Sequence, residues 1–300
     1  MRDGVSASRV AVSAGPWATV AEFLAARLRP GIDWPARLAQ GEVLDADGRP
    51  LPPDAPARPG AVLWYWRQLP PEPVVPFVMD LLHQDEHLVV VDKPHFLPVT
   101  PAGRYLQETA LVRLKRALGI ETLVPMHRLD LETAGVLVFT VQPTTRHAYH
   151  AVFRDRQAHK VYEAVAPWRP DLALPCTVSS RIEEPAGEGF MQMQTLPGEP
   201  NAHTRVELIA RRGGLGHYRL TPLTGRKHQL RVHMAHLGLP LLGDRIYPVL
   251  WPEAAPDAEP DYSRPLQLLA RELTFTDPVT GQPRRFVSRR VLDQAVGLSE

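Results

Sequence analysis

Apolar residues along the chain follow two periods, one helical and one strand-like. Val20, Phe23, Leu24, Ala25 and Leu28 share one helical face, and Pro30-Gly31 predicts where that helix stops. The stretch Asp33-Trp34-Pro35-Ala36-Arg37-Leu38 predicts a second short helix, with Pro35 tolerated in its first turn. Gly41-Glu42-Val43-Leu44, a turn at Asp47-Gly48 and the strand-like run Ala61-Val62-Leu63-Trp64-Tyr65-Trp66 close a small α/β unit over residues 1–70. Leu69-Pro70-Pro71-Glu72-Pro73-Val74-Val75-Pro76 is proline-dense and predicts an extended linker, set at residues 71–80. Beyond it, Leu88-Val89-Val90-Val91 predicts a buried strand. Leu106, Ala110, Leu114 and Leu118 recur every fourth residue with Lys115 and Arg116 turned outward, which predicts an amphipathic helix over 106–118.

Further strands are predicted over 135–140, 161–165, 204–209 and 217–220. A helix follows over 229–237, with Leu230, Met234 and Leu237 on one face and Gly238 placed to cap it. Residues 177–200 and the acidic, proline-rich run 251–261 read as loops. Strands interspersed with helices predict an α+β domain over 81–295, built on a mixed, mainly antiparallel sheet with flanking helices.

Composition narrows the function classes. The chain has 300 residues, long enough for one large domain and a small one, and its apolar fraction of 44% is that of a globular protein. Bulk charge says little, with 34 basic residues against 33 acidic. Local charge says more: between residues 201 and 247 stand eight basic residues (Arg205, Arg211, Arg212, Arg219, Arg226, Lys227, Arg231 and Arg245) against Glu207 and Asp244. A surplus of six positive charges is the footprint of a phosphate-contacting surface. Residues 1–70, with eight basic and seven acidic residues, lack such a surplus. Cys176 is the single cysteine, so no internal disulfide is possible and a reducing cytoplasm is the expected compartment. Neither a membrane span nor a signal-peptide core is expected from the apolar runs.

Candidate chemistry gathers in two places. Asp130 stands in Pro125-Met126-His127-Arg128-Leu129-Asp130-Leu131-Glu132-Thr133-Ala134-Gly135. About a hundred residues later comes Gly225-Arg226-Lys227-His228-Gln229-Leu230-Arg231-Val232-His233, running on to Gly243-Asp244-Arg245-Ile246-Tyr247. Between them, Lys160-Val161-Tyr162-Glu163-Ala164 presents one aromatic ring on a strand. Taken singly, Asp130 reads as a turn cap, Tyr162 as a half-buried core residue and Arg231 as a surface ion pair. His228, His233 and His236 lack the spacing and the acidic partner of a metal site, so RNA contact or helix packing is expected of them. The run His127-Arg128-Leu129-Asp130 has a superficial likeness to a kinase catalytic loop, but no glycine-rich phosphate loop or Asp-Phe-Gly accompanies it.

In order and register these stretches resemble the RluA-type pseudouridine synthases, over roughly residues 81–290. Asp92-Lys93-Pro94 with Leu97-Pro98-Val99 is similar to that family's first motif. His127 to Asp130, with Thr133 and Gly135, is similar to the second, with Ala134 where the family usually has serine. Gly198-Glu199-Pro200-Asn201-Ala202-His203-Thr204 matches a further stretch, with Glu199 where lysine is common. The resemblance implies an enzyme that isomerises uridine to pseudouridine in structured ribosomal or transfer RNA, using one aspartate and no metal, nucleotide or organic cofactor. It makes Asp130 the catalytic residue, Arg231 the arginine paired with it and Tyr162 the ring that stacks on the target base. Arg128 would fill the space left by the flipped nucleotide. The N-terminal unit would be a degenerate form of an RNA-binding domain shared with a ribosomal protein, and the protein would act as a monomer away from any membrane. The rival from another class is an RNA-binding protein that keeps the fold without catalysis; the joint presence of Asp130, Tyr162 and Arg231 argues against it.

Overall fold

A computed structural model of the chain describes residues 4–28, 30–67, 72–185, 192–252, 258–295 and 297. It divides into two compact units, Met1–Glu72 and Pro73–Glu300.

In the first unit, β1 (Ser8–Ala11), β2 (Val43–Leu44) and β3 (Val62–Tyr65) form an antiparallel sheet in the order β1-β3-β2. Helices α1 (Val20–Arg27) and α2 (Trp34–Ala39) pack their apolar faces with it around Phe23, Leu24, Trp34, Leu38 and Leu63. Thr19 and Glu22 cap α1 reciprocally, while Asp33 accepts the Ala36 N–H at the start of α2. Arg37 is buried, bound to Glu42 and the Trp66 carbonyl, so one of this unit's few cations faces inward. Of the expected linker, residues 69–71 lie outside the described residues.

The second unit is built on an eleven-stranded sheet. Its strands are β4 (Asp80–Gln84), β5 (Leu88–Lys93), β6 (Val124–Pro125), β7 (Ala134–Thr140), β8 (His159–Pro167), β9 (Cys176–Glu183), β10 (Gln194–Leu196), β11 (Ala202–Arg212), β12 (Leu215–Pro222), β13 (Leu268–Thr276) and β14 (Pro283–Val287). They run in the order β10-β9-β11-β12-β8-β13-β7-β5-β4, with β14 paired to β13 and β6 to β7. Among the described residues, only the β13–β7 pair is parallel. The α+β class, with a mixed and mainly antiparallel sheet, is therefore the one the sequence indicated.

Strands β5 and β7 are buried on both faces because a helix covers each side. Val89, Val91, Leu137 and Phe139 meet Ala110 and Leu114 of α3 (Ala110–Leu118); Leu88, Val90, Val136 and Val138 meet Tyr149 and Val152 of α4 (Arg146–Arg154). In the other half of the sheet, α5 (Gln229–His236) lays Leu230 and Met234 on Ala164, Val178, Val206 and Tyr218. Tyr162 of β8 packs against both the α3 cluster and the α5 cluster. That seam is where the candidate residues converge.

Two expectations need correction. The amphipathic helix starts at Ala110 rather than at Leu106, because the Thr109 hydroxyl accepts the Val112 N–H and caps it there. Residues 177–200 are not a loop. Most of β9 and all of β10 fall within them, paired antiparallel, because alternate side chains such as Val178 and Ile182 are buried beneath an otherwise polar strand. Residues 186–191 of that stretch, and 253–257 of the acidic run, lie outside the described residues.

Gly135 opens β7 at φ +114°, and a Cβ there would stand 2.2 Å from the Ala270 carbonyl oxygen on the parallel partner strand. Both the backbone and the space demand glycine. Gly135→Ala is expected to cost roughly 3 kcal/mol or more. Gly119→Ala, which also has positive φ but meets nothing within 4 Å, should cost about 1 kcal/mol. Urea unfolding of the two variants checks the difference.

Candidate active site

The turn carrying Asp130 is pinned on every side except at its carboxylate. His127 stacks on Phe153 with ring centroids 4.6 Å apart, and its Nε2 accepts the Val138 N–H at 3.3 Å. Burial, followed by the charge of Lys160, pulls its pKa down to about 3, so the ring is neutral and can accept. Leu129 is buried in the α3 cluster. The Thr133 N–H donates to the Asp130 carbonyl at 3.1 Å and closes the turn.

The opening motif supplies the next pins. Asp92 is fully buried and accepts from the Ser288 hydroxyl and the Arg289 N–H, tying the end of β5 to the segment after β14. Lys93 is fully buried too, and its Nζ donates to the carbonyls of Pro94 (3.0 Å), Leu97 (2.8 Å) and Leu131 (3.1 Å). Three carbonyls match the three donors of an ammonium. Burial pulls its pKa down to about 7 against the opposing pull of the Asp130 carboxylate. His95 Nδ1 donates to the Glu132 carbonyl at 2.6 Å. The carbonyls of both residues that follow Asp130 are thus held by side chains of one short segment.

Arg231 projects from α5 into the same place and is 1% exposed. Its Nε and Nη2 bind Asp244 in a two-pronged pair at 2.9 and 2.6 Å. Nη2 also lies 2.8 Å from Glu132, and Nη1 lies 3.5 Å from Asp130 Oδ2. Asp244 is held in turn by the N–H groups of Ile246 and Tyr247, at 2.8 and 2.9 Å. Burial alone would lower the arginine's pKa, but Asp244, Glu132 and Asp130 together hold it above the ordinary range. Glu132 is raised by its own burial, with Arg231 opposing. Among the described residues Nη1 has no hydrogen-bond partner, and it points to the Asp130 side.

The structure brings Asp130, Arg231 and Tyr162 together. Tyr162 packs against the cluster that anchors Leu129 and the one that holds Leu230, and burial, followed by the Asp130 carboxylate, pushes its hydroxyl pKa upward. Arg128 is exposed, two residues before the 30%-exposed Asp130 side chain.

The basic block is not one surface. Arg226 and Lys227 are exposed, whereas Arg231 faces entirely inward. Several of the other cations are matched by groups outside the counted window. Lys227 lies 3.1 Å from Glu184, Arg245 lies 3.1 Å from Asp261, and Arg211 rests on the Trp168 ring. The phosphate-facing surplus is therefore smaller than the count of six. His233 is wholly buried between Thr204 and Ser180, at 2.9 and 3.0 Å, and burial lowers its pKa to about 4. Gln229 bridges the Arg226 N–H, Thr204 and Thr224, binding the start of α5 to β11 and β12.

Sequence reasoning gave no role to Lys93, Glu132, Asp244 or Tyr247, although all four lie inside the runs it quoted. Their signal was available as charge. An acid two residues after Asp130 and another thirteen after Arg231 are the partners a buried guanidinium requires.

A family model described as RNA pseudouridylate synthase matches residues 87–236. An uncharacterized RNA pseudouridine synthase of Synechocystis sp. is 34% identical over 222 residues, covering 71% of this chain and 73% of that protein. The dual-specificity RNA pseudouridine synthase RluA of Haemophilus influenzae is 34% identical over 228 residues, covering 71% of this chain and 94% of that one. Among solved structures, human RNA pseudouridylate synthase domain containing 4 aligns with a TM-score of 0.54 at 28% identity, over 70% of this chain and 88% of that one.

Breaking the Arg231–Asp244 pair should be costly, because it leaves a buried charge short of its partner. Asp244→Asn is expected to lose about 3 kcal/mol or more. Glu207→Gln, which breaks the exposed Arg205 pair, should change stability by less than about 1 kcal/mol. Urea midpoints of the two variants check this.

Proposed function

The chain belongs to the RNA pseudouridylate synthase family, in its RluA-type branch, and from that premise we propose that Asp130 is the catalytic carboxylate for particular uridines in structured ribosomal or transfer RNA. The protein is an RNA uridine isomerase; the residue roles and the RNA class are the proposal. The observation that carries it is the asymmetry of the charge cluster. Of the three carboxylates around Arg231, Asp244 is fully enclosed and Glu132 largely so, while the Asp130 side chain is 30% exposed at the open side. One carboxylate is available to a substrate, and the other two hold the cation that faces it.

Isomerisation breaks the bond between ribose C1′ and uracil N1, turns the base and rejoins it through C5. The carboxylate either attacks carbon or removes the C2′ proton to give a glycal, the route expected from the family, and in both it must be ionised. Arg231 faces Oδ2 with Nη1 and orients it. A uridine inside folded RNA has to leave its stack, at a cost of a few kcal/mol. Tyr162 receives the base on its ring, and Arg128 fills the vacated space with its flat guanidinium. An exposed cation such as Arg226 meets the phosphates.

Asp130→Asn should lower tritium release from RNA labelled at uracil C5 by at least about a thousandfold, with RNA affinity nearly unchanged. Sustained release by the variant would sink the assignment. Arg231→Lys keeps the charge and loses the fork. Turnover should fall about a hundredfold or more, with affinity within about twofold; a collapse of affinity at constant turnover per bound complex would make Arg231 a phosphate contact instead. Pseudouridine mapping of total RNA from cells with and without the protein identifies the target uridine.

A further inference from the structure

His228 stands at the junction of the basic loop and α5 in a backbone conformation that few residues other than glycine adopt. Its φ of 55° and ψ of 14° are left-handed, and its side chain makes no capping bond to the helix. Glycine or asparagine would fit that backbone with less strain, and what histidine adds there is the pair of contacts its ring makes. The side chain is 9% exposed, too enclosed for a phosphate contact. One edge, Nε2, faces Asp130 Oδ1 at 3.9 Å; the other, Nδ1, meets the Tyr247 hydroxyl at 3.1 Å. The Tyr247 oxygen accepts the Met193 N–H at 2.6 Å. A backbone N–H can only donate, so the hydroxyl proton is free to go to His228 Nδ1 at 3.1 Å or to the Met193 carbonyl at 3.4 Å, and the shorter contact favours the ring. An Nδ1 that accepts leaves the proton on Nε2, facing the carboxylate.

We propose that His228 is a positioning residue for Asp130: held by Tyr247, its neutral imidazole presents Nε2–H to Oδ1 while Arg231 holds Oδ2. The carboxylate is then gripped at both oxygens by one cation and one neutral donor. A second full cation would bind it in a tight ion pair and compete with the ribose for it. The 3.9 Å gap is one that closes on forming the catalytic complex, since such contacts are long in the free enzyme. This inference rests on the reading of Asp130 as the catalytic carboxylate. The charged and titratable groups facing the ring agree with it. Burial disfavours the imidazolium most, Asp130 and Asp244 favour it, and Arg231 and Lys227 disfavour it further; Tyr247 is a further neighbour. The net effect lowers the pKa of His228, so the ring is neutral at neutral pH.

Two substitutions separate the edges of the ring. Asparagine places its amide where Nδ1 was, and glutamine places it where Nε2 was. His228→Asn also suits the left-handed backbone, so strain would not explain a loss. Turnover in His228→Asn should fall about thirtyfold or more with RNA affinity unchanged, while His228→Gln stays within about fivefold of wild type. The reverse order would mean that His228 only props the loop against Tyr247, and would overturn the proposal. As pH falls, the wild-type ring gains a proton and becomes a second cation on Asp130, so turnover drops; His228→Gln should persist to lower pH, and coincident acid limbs would count against the role. A readout independent of turnover comes from nitrogen-15 histidine spectra of the full chain, with His228 assigned by its loss in His228→Gln. The Nε2–H tautomer is expected, with a pKa that falls further in Asp130→Asn because the carboxylate favours the charged ring. An Nδ1–H tautomer, or a pKa indifferent to Asp130→Asn, overturns the proposal even for a protein that turns over no RNA. Tritium release that survives in Asp130→Asn would instead overturn the reading of Asp130.

Discussion

A guanidinium buried to the last few per cent cannot stand without acids, and much of this site is arranged around that requirement. Arg231 leaves water on α5, and taking it out of solvent carries a cost that only close, well-oriented carboxylates offset. Asp244 meets it with two prongs and is itself fixed by two backbone N–H groups. Glu132 closes a third side from the turn after β6, and Asp130 faces the remaining donor. Two acids of one turn and a third about a hundred residues later are therefore brought to one point by one cation. The same arrangement leaves one carboxylate poised at the open side with a guanidinium behind it.

The hydrophobic framework explains why the point lies where it does. The α3 and α5 clusters cover adjacent parts of the sheet, and Tyr162 of β8 packs against both. The Asp130 turn is anchored in the first by Leu129, and Arg231 rises from the second beside Leu230. Lys93 and His95 then hold the carbonyls of Leu131 and Glu132, so the turn has little freedom to relax when a substrate presses on it. A carboxylate held this firmly loses little entropy on reaching its reacting geometry.

Much of this was legible in the chain, and what was not has physical reasons. Strands buried on both faces, such as Leu88-Val89-Val90-Val91, announce themselves as unbroken apolar runs, and α5 shows its helical period in Leu230 and Met234. Strand β9 does not, because only alternate residues are buried, among serine, threonine and arginine, and its partner β10 is exposed throughout. At the site, Asp130, Arg231 and Tyr162 were recognisable by their motif spacing. The inward direction of Arg231 was not, since a basic residue in a basic block counts as surface charge until its acids are placed. For the same reason the count of positive charges between residues 201 and 247 overstated what RNA can meet: Glu184 and Asp261, which lie beyond the window, sit against Lys227 and Arg245.

The central claim is that Arg231 serves Asp130 from within the protein while Asp130 alone meets the ribose. A crystal structure of the full chain bound to a short RNA stem-loop, with 5-fluorouridine at the mapped target position, tests it most directly. The account predicts a nucleotide swung out of the RNA helix, its base against the Tyr162 ring, its ribose within about 3.5 Å of the Asp130 carboxylate, and Arg231 still paired with Asp244. A target base left stacked in the RNA, or Arg231 turned away from Asp244 to a phosphate, would contradict it.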